Sequence, residues 1–378
     1  MTNSIFLFQR SLRLEDNLGL IECLNNSNKV YPIFCVDPRQ ATRKNSFLSP
    51  FALGFMLQSL EDLDKQFWEF NKKLCFLYGE PHIVLKSFIL KYQIETIYLN
   101  KDYTPFARQR ASDLQNICNI IEVEDYLLFP EGSIQTGSGK AYKVYTPFLR
   151  QTEGKKVKKP IKVKYTEKLI NVNSDKKAIN ILKKYSNFSD IEGGRTEALY
   201  KLARLKTTQH NYNKCRDYLK YKTTQLSAYI KFGCVSIREV WEAFGTISIE
   251  SSKMLKKQLL WREFYYHQYI DYPEDLEWDK NPEEATLDSK APDIVKDCYE
   301  TLDKTGYLHN RSRMILAHYL LHNNIYWKSC DKLYATRLVD YDPIVNIGNW
   351  LFIKKQPKFK WLKPEVQSKK WDKPCPYK

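Results

Sequence analysis

Three side chains on one predicted helix could line a pocket. Asn310, Arg313 and Met314 are spaced i, i+3 and i+4, which places them on one helical face. This face combines an amide, a permanent positive charge and a soft apolar group. The combination favours a lined pocket.

Acidic side chains that could neutralise Arg313 follow later in the chain. The run DYDPIVNIGNW contains Asp340, Asp342 and Asn346. An arginine and aspartates on separate elements can pair in a buried site, because a buried charge needs such a partner. A salt bridge that only ties two helices together is the alternative, and from spacing alone it is the better interpretation.

Other short motifs do not support a catalytic role. In the run TGSGKA at 136–141, Ala follows the Lys where a phosphate-binding loop needs Ser or Thr. No GxGxxG follows the first predicted strand, so a Rossmann dinucleotide site there has no support. His318 and His322 share a helix face, but Tyr319 stands where a zinc protease needs Glu, so packing or surface roles are expected. No metal site is predicted.

The chain is strongly basic. It has 60 Lys and Arg against 44 Asp and Glu, which gives a net charge of +16. Such a charge favours a polyanionic partner, and nucleic acid is the first candidate. A lysine-rich composition inherited from an AT-biased genome explains the charge almost equally well.

Cysteine usage and hydropathy indicate the compartment. The nine cysteines occur singly, without CxxC or metal-ligand spacing, so we expect buried thiols in a reducing compartment. The apolar stretch near the first residue is too short for a signal peptide, and no later run reaches the length of a membrane span. We therefore expect a soluble, intracellular monomer, in the cytoplasm or the nucleus, without a membrane partner.

The first part of the chain alternates short apolar strands with amphipathic helices, which is typical of an α/β domain with a doubly wound parallel sheet. The predicted strands are Ile5 to Phe8, Val30 to Val36, Leu74 to Tyr78, Thr96 to Leu99 and Ile120 to Val123, and the predicted helices between them are Phe51 to Phe70, Ile83 to Tyr92 and Phe106 to Cys118.

Beyond residue 193 strand signals almost vanish. Long amphipathic stretches, such as Met254 to Ile270 and Gly306 to Asn323, predict an all-α domain. The expected organisation is an α/β domain at 1–130, an interdomain connection at 131–192, a helical domain at 193–353 and a short basic tail at 354–378.

The two segments that contain the polar residues have a family resemblance. TGYLHNRSRM at 305–314 and DYDPIVNIGNW at 340–350 are very similar to the flavin-binding core of the photolyase and cryptochrome family, most of all to cyclobutane pyrimidine dimer photolyases. The blocks that agree in the same order are FLFQRSLRLEDN, NKDYTPFARQR, TGSGKAYKVYTPF, GGRTEAL, TTQLSAYIKFG and LLWREFYYH. So many ordered blocks argue against a chance match.

The resemblance implies FAD as the cofactor. Arg313 and Asp340 match a pair near the isoalloxazine ring, with Asp342 beside them. The other matches to the cofactor site are Tyr212, Thr223, Thr224, Leu226, Ser227, Arg262, Asn310 and Asn346. Family members often also hold an antenna chromophore, a folate or a deazaflavin, and no residue here selects one.

The resemblance also gives several residues a role in electron transfer. Trp278, Trp327 and Trp350 match the chain of tryptophans that carries electrons between the flavin and the surface. Asn346 matches the asparagine that faces the flavin N5 and favours the reduced flavin in photolyases. Plant and animal cryptochromes have other residues there, so Asn346 indicates repair.

For DNA, the family binds a pyrimidine dimer that is flipped out of the duplex. Trp261 matches one aromatic wall of the lesion pocket, Phe352 stands in place of a second tryptophan, and Asn310 and Met314 match its floor. Basic contacts are implied for Arg216, Arg262 and Arg311. Six-four photolyases carry two histidines where this chain has Asn310 and Met314, so a cyclobutane dimer is the implied lesion.

Two positions depart from the family pattern. Gln258 stands where dimer photolyases usually have a Glu that binds the dimer, and Tyr307 replaces a common Trp near the flavin. A Gln can still form hydrogen bonds to the bases but carries no charge and lends no proton. Gln is found at this position in six-four photolyases and animal cryptochromes.

The implied function is that of a deoxyribodipyrimidine photo-lyase. Such a carbon–carbon lyase repairs UV-damaged DNA by electron transfer from light-excited, reduced FAD to the flipped dimer. Gln258 leaves two alternatives open, a cryptochrome-like blue-light receptor and a six-four photoproduct photolyase.

The last part of the sequence predicts a shortened C-terminus. Only 28 residues follow Trp350, and they contain nine lysines and two acidic residues. A basic tail that contacts DNA phosphates and a disordered tail on a weakened domain are both consistent with this composition.

Overall fold

The structure is a computed structural model of the 378-residue chain, and it describes residues 2–185, 191–276, 281–354 and 362–377. The amino-terminal part is an α/β domain, and the part after residue 191 is helical. No helix in these ranges combines the length and apolarity that a membrane crossing requires.

A five-stranded parallel sheet forms the centre of the α/β domain. Its strands are β1 (Asn3–Phe8), β2 (Lys29–Val36), β3 (Cys75–Tyr78), β4 (Ile94–Asn100) and β5 (Asn119–Val123). The strand order is β3-β2-β1-β4-β5, so the chain winds outward from β1 in both directions. This confirms the predicted doubly wound sheet and all five predicted strands.

The helices alternate with the strands and then continue alone. In the described ranges they are α1 (Leu18–Asn26), α2 (Pro38–Ala41), α3 (Pro50–Trp68), α4 (Pro81–Tyr92), α5 (Pro105–Gln115), α6 (Tyr145–Thr152), α7 (Lys176–Tyr185), α8 (Arg195–Ala203), α9 (Leu205–Thr208), α10 (Tyr212–Cys215), α11 (Ser227–Lys231), α12 (Ile237–Phe244), α13 (Ile249–Asp271), α14 (Asp293–Thr305), α15 (Asn310–His322), α16 (Trp327–Ala335), α17 (Pro343–Lys354) and α18 (Pro364–Trp371), with 3-10 turns at Thr166–Lys168 and Pro273–Leu276.

Local signals explain where the helices of the α/β domain begin. Ser49 and Thr104 cap α3 and α5 by accepting a hydrogen bond from the backbone N–H three residues later. Each is followed by a proline at the first helical position, where the missing N–H costs nothing. The capped helices pack on a sheet whose central strand, β1, is almost wholly buried, as expected for a parallel sheet covered on both faces.

The segment between the domains folds back onto the sheet. Ile170 N donates to Val30 O at 2.9 Å, and Asp175 N donates to Phe76 O at 2.8 Å. Helix α7, which the sequence did not predict, then packs against β3 and α3. The connection therefore covers one edge of the α/β domain before the chain enters the helical domain.

A disulfide ties the end of the chain to the helical domain. Cys215, at the end of α10, is bonded to Cys375. The expectation that all nine cysteines are unpaired is therefore wrong, because two cysteines 160 residues apart meet only after the chain folds. The described part of the tail also contains α18, which contacts α14 and α15.

A buried ion cluster holds the two domains together. Asp125, which follows β5, accepts hydrogen bonds from Arg13 and from Arg238 of α12, each at 2.7 Å. Arg238 also binds Asp16 at 2.8 Å, and no side chain of the cluster is more than 4% exposed. Gly233 allows this close approach, because its φ of +65° suits glycine and a Cβ there would collide with the Ser11 backbone.

We expect Asp125→Asn to destabilise the protein by about 3–5 kcal/mol, because it leaves two buried guanidinium groups without their shared carboxylate. Chemical denaturation measures this change. Glu300→Gln breaks the exposed pair with Lys304 and is the control, since such surface pairs contribute little. A loss no larger for Asp125→Asn than for Glu300→Gln would contradict the role of the cluster.

The carboxyl group of Asp125 should also make the stability of the fold depend on pH. Burial alone would raise the pKa of Asp125, but Arg13 and Arg238 lower it to about 2. A depressed carboxyl pKa stabilises the fold above the unfolded-state value near pH 4, and this contribution is lost as the pH falls towards 2. Asp125→Asn should remove that part of the acid dependence.

Candidate functional site

The predicted pair of Arg313 and Asp340 is present. Arg313, on α15, donates from Nη2 to Asp340 Oδ2 at 2.8 Å and from Nε to Leu308 O at 3.0 Å. Burial would raise the pKa of Asp340, but Arg313 lowers it below its ordinary value. The carboxylate is therefore kept charged in the interior of the helical domain.

One oxygen of this carboxylate has no partner. Asp340 Oδ1 is buried and accepts no hydrogen bond within good geometry from any described residue, although Ser227 is near enough to lower the pKa of Asp340. A buried acceptor is normally satisfied. This orphaned atom, beside a permanent cation, fits a ligand that brings hydroxyl or N–H donors, as FAD does.

The residues matched to the flavin phosphates lie beside this pair. Thr223 Oγ1 is 3.5 Å from the Tyr307 hydroxyl, and the Arg313 guanidinium lies 5.6 Å from the centre of the Tyr307 ring. Tyr212 is buried, which raises its pKa to about 12. Tyr307 thus connects the phosphate segment to the Arg313 side of the site.

The short turn before α11 places the remaining matched residues. Thr224 Oγ1 accepts a hydrogen bond from Leu226 N at 3.4 Å, and Gln225 between them has a positive φ of 52°. Leu226 is buried and Ser227, the first residue of α11, is exposed. Leu226 therefore anchors the turn, while the hydroxyl groups remain at its surface.

Asn346 is held by a buried carboxylate that the sequence did not single out. Asn346 Nδ2, on α17, donates to Asp331 Oδ1 at 2.6 Å, and the Tyr341 hydroxyl donates to Asp331 Oδ2 at 2.9 Å. Burial raises the pKa of Asp331 to about 6, although Asn346, Tyr341 and Lys328 all lower it. The amide of Asn346 therefore has its orientation fixed by Asp331.

Two of the three predicted electron-transfer tryptophans are buried near this site. Trp350 lies one helical turn after Asn346 and its ring is 5.3 Å from that of Tyr334. Trp327, the first residue of α16, is 3% exposed and has the Lys328 ammonium 4.6 Å from its ring. Trp278 lies outside the described residues.

The residues matched to the lesion pocket form a half-exposed aromatic cluster. Trp261, on α13, stacks on Tyr145 with ring centres 3.6 Å apart, and Phe352 meets its edge at 5.2 Å. Gln258 lies one turn earlier on α13 and is exposed. Flat aromatic surface beside an amide is suited to stacking and hydrogen bonding a base.

Asn310 and Met314 lie together, as their spacing indicated. Asn310 Nδ2 is 3.9 Å from Met314 Sδ, and Asn310 is exposed at the start of α15. Because Arg313 is on the same helix, α15 carries both the Asp340 pair and the residues matched to the lesion floor.

The three arginines matched to basic contacts differ in their surroundings. Arg216 is half-buried, and Arg311 binds Asp217 at 2.6 Å. Arg262 is buried between the domains, where it pairs with Glu263 at 2.9 Å and lies 4.1 Å from the Tyr126 ring centre. In this structure Arg262 has little exposed surface to offer DNA, and its charge is used at the domain interface.

A crevice of about 530 Å³ lies where the sheet meets the helical domain. Arg10, which follows β1, and Asp102, which follows β4, lie at this edge and pair at 2.9 Å. The crevice is thus at the switch point between two oppositely wound halves, where doubly wound sheets bind ligands. Asp331 and Tyr341 form part of its wall, so it borders the Asn346 site.

Several site residues carried no signal in the sequence. Asp331 is one charged residue in an amphipathic helix, where a surface position is the ordinary interpretation. Tyr145 lies in a segment between the domains, more than 100 residues before Trp261. Only the folded chain brings them to the site.

Two family models match the chain. The DNA photolyase model matches residues 4–164, and the model of the FAD binding domain of DNA photolyase matches residues 254–378. Together they cover the α/β domain and most of the helical domain. The second match includes Arg313, Asp340, Asn346 and Trp350.

Known proteins agree with these matches. The deoxyribodipyrimidine photo-lyase of Synechococcus sp. is 26% identical over 99% of this chain and 86% of its own length. Cryptochrome-1 of Erithacus rubecula is 25% identical over 93% of this chain, which spans only 64% of that protein. An archaeal photolyase from Sulfolobus tokodaii, solved with two FAD molecules, is 28% identical, with a TM-score of 0.81 over 98% of this chain and 87% of its own.

The raised pKa of Asp331 gives a test of the site. Because the pKa of Asp331 is higher in the folded than in the unfolded state, the free energy of unfolding falls as the pH rises. The fall takes place between the unfolded-state pKa near 4 and the folded-state value of about 6. Asp331→Asn keeps an acceptor for Asn346 but has no charge to bury. Two pKa units correspond to ~3 kcal/mol. Between pH 4 and 6 the free energy of unfolding of the variant should therefore rise by up to ~3 kcal/mol relative to that of the wild type.

Denaturation at a series of pH values measures this difference. Glu61→Gln, at an exposed position of α3, is the control and should follow the wild type at every pH. A pH-independent difference between Asp331→Asn and the wild type would show that Asp331 does not titrate in this range.

Proposed function

The chain belongs to the DNA photolyase and cryptochrome family, and from this premise we propose that it repairs cyclobutane pyrimidine dimers in DNA with light. The observation that carries the proposal is the composition of α15. One helix presents Arg313, paired with Asp340 at 2.8 Å, and the contacting pair of exposed Asn310 and half-buried Met314. The residues proposed to contact the flavin and those proposed to contact the dimer are therefore only one helical turn apart.

The chemistry of several residues in the helical domain supports the binding of FAD. Arg313 and Asp340 would hold polar groups near the ring system, and Asp340 Oδ1 is ready to accept a hydrogen bond. Tyr212, Thr223 and Ser227 supply hydroxyl groups suited to a diphosphate. Reduced FAD, when bound, supplies the electron that light drives into the dimer, and the electron returns once the ring bonds have opened.

Asn346 has a positioning part in this scheme. Because Nδ2 donates to Asp331, the amide oxygen of Asn346 would be the group available to the cofactor. It can accept a hydrogen bond from a protonated ring nitrogen, which favours the reduced flavin over the oxidised one. The Asp331 contact prevents the amide from turning round.

The opposite face of the site would receive the flipped dimer. Trp261 and Phe352 offer aromatic surface, and Gln258 offers an amide that can both donate and accept hydrogen bonds to the bases. Arg216 and the net charge of +16 supply attraction for the DNA backbone. Burial of the dimer against the flavin would exclude water from the path of the electron.

We further propose that the crevice at the sheet edge holds an antenna chromophore. The S. tokodaii photolyase holds two FAD molecules, with one implied as a light-harvesting cofactor. Here the crevice is lined by five cationic side chains, Arg10, Arg39, Arg110, Lys231 and Lys328, by the carboxylates Asp37, Asp102 and Asp331, and by aromatic rings that include Phe106. The excess of cationic over acidic side chains and the aromatic rings suit a planar chromophore with anionic groups, a class that includes a folate, a deazaflavin and a second flavin.

A cryptochrome-like light sensor is the second candidate, and Gln258 favours it. A glutamine at this position carries no charge to the dimer, and cryptochrome-1 is among the relatives. Asn346, Asn310 and Met314 favour repair instead. A sensor should bind damaged and intact duplex equally, whereas a photolyase should prefer the damaged duplex.

A repair assay tests the leading proposal. Fully reduced protein, mixed at stoichiometric amounts with an oligonucleotide that contains one cyclobutane dimer, should restore the two thymines under near-UV or blue light. The same assay with a six-four photoproduct should give no repair. Absence of dimer repair would refute the proposal, and repair of the six-four product alone would assign the other photolyase class.

Trp350→Phe tests the route of electron entry. The substitution keeps an aromatic ring of similar shape but removes the readily oxidised indole. We expect photoreduction of the oxidised flavin to be abolished, while the chemically reduced variant repairs dimers at nearly the wild-type rate. Absorbance changes under illumination follow the first and dimer repair the second. Equal loss of both would show that Trp350 is needed for the fold of the site.

A further inference from the structure

The carboxy-terminal segment at 362–377 is attached to the helical domain next to residues matched to DNA contacts. Trp371 O accepts a hydrogen bond from Leu219 N at 3.1 Å, and the Trp371 ring meets Tyr218 edge-on at 5.2 Å. The Arg311 guanidinium lies 5.4 Å from the same ring. The segment therefore packs against both the 212–222 segment and α15.

One covalent bond and a few side chains hold this segment. Cys215, directly before Arg216, is bonded to Cys375. Within 362–377 only Pro364 and Gln367 are buried. Most of the segment is thus exposed, and the disulfide is its strongest attachment to the residues around the predicted lesion site.

Docking of the segment joins two groups of exposed lysines. Lys214 and Lys222 lie on one side of the contact, and Lys369, Lys370 and Lys373 lie on the other. None of these five has a carboxylate partner within 4 Å among the residues the structure describes. Two of the nearby acidic groups are already paired, Asp372 with Lys220 at 3.7 Å and Asp217 with Arg311 at 2.6 Å, and the third, Glu365, is exposed on α18.

We propose that the 362–377 segment is a DNA-backbone-binding surface, which the Cys215–Cys375 disulfide latches beside the lesion site and which reduction of this disulfide releases. The choice of DNA as the partner rests on the proposed function. Lysines on an exposed surface bind phosphates without regard to sequence, so the surface would hold the duplex next to the flipped dimer.

A dithiol supplies the two electrons needed to reduce the Cys215–Cys375 disulfide and release the segment. Cys375 is partly exposed and Cys215 is fully buried, so a thiolate of the reductant attacks the Cys375 sulfur and Cys215 leaves as a thiolate, which takes up a proton. The second thiol of the reductant then displaces Cys375, whose thiolate is protonated in turn. Two electrons pass to the protein, and the reductant becomes a disulfide. Disulfides in thiol-rich compartments are usually redox-sensing, which fits a latch.

DNA binding in the dark tests the latch with the full-length protein. Fluorescence anisotropy would measure Kd for intact and dimer-containing duplexes over a range of salt concentrations, before and after dithiothreitol. We expect reduction to raise both Kd values roughly tenfold and to lower the salt slope by about two, as loss of two phosphate contacts requires. Unchanged Kd values after reduction would refute the proposal.

Two variants separate the latch from general effects of thiol reagents. Cys375→Ser should bind DNA like the reduced wild type and should not respond to dithiothreitol, whereas Cys118→Ser, a free cysteine in the α/β domain, should respond like the wild type. A full response by Cys375→Ser would assign the effect to another thiol and overturn the proposal. Mass spectrometry after alkylation without reductant must also detect the Cys215–Cys375 peptide pair.

A charge variant keeps the test valid if Cys375→Ser folds poorly. Replacing both Lys369 and Lys370 by Glu leaves the disulfide intact and should weaken binding to both duplexes in the oxidised state. Equal binding by this variant and the wild type would contradict the phosphate contacts. The ratio of the Kd for intact duplex to the Kd for dimer-containing duplex measures the preference for the dimer. If the proposed function is wrong, this ratio should be one. If only the latch is wrong, the ratio stays above one while reduction leaves both Kd values unchanged.

Discussion

The rest of the site depends on the hydrogen bonds and the ion pair formed by the buried carboxylate of Asp342. Oδ2 accepts hydrogen bonds from Arg10 at 3.1 Å, Tyr126 at 3.1 Å and Tyr266 at 2.6 Å. Oδ1 accepts from the backbone of Ile344 and Val345, at the start of α17. One buried side chain thus ties both domains to the helix that carries Asn346 and Trp350. Burial would raise the pKa of Asp342, but Arg10, Tyr266, Arg262 and the backbone N–H of Val345 together lower it below its ordinary value, so the carboxylate keeps its charge.

This arrangement makes the crevice and the flavin site neighbours. Arg10 lines the crevice and binds Asp342, while Asp331 lines the crevice and binds Asn346. A chromophore in the crevice would lie next to Asp331, which binds the residue proposed to face the flavin. The ion cluster around Asp125 joins the same two domains, so it also stabilises the interface that forms the crevice.

The fold could be predicted from the sequence because its signals are local. All five strands are short apolar runs between turn residues, and burial on both faces of a parallel sheet makes such runs continuous. Helix α7 was missed because its lysines resemble a linker, although its apolar side packs on the sheet edge. The pairing of Arg313 with Asp340 came from the resemblance, since spacing alone could not separate a ligand site from a structural salt bridge.

Contacts between distant parts of the chain could not be predicted in this way. Asp331 gains its importance from Asn346, fifteen residues later on another helix, and nothing in the α16 sequence marks it. The Cys215–Cys375 pair was missed because isolated cysteines carry no pairing information until the chain is folded. The stack of Tyr145 on Trp261 likewise depends on the path of the segment between the domains.

The absorption spectrum of the purified protein tests the central claim most directly. The arrangement of Arg313, Asp340 and Asn346 predicts bound FAD in an amount equal to that of the protein, with the structured absorption bands of a flavin shielded from water. A chromophore in the crevice would add a second absorbing species. Folded protein that contains no flavin, and binds none when FAD is added, would contradict the account.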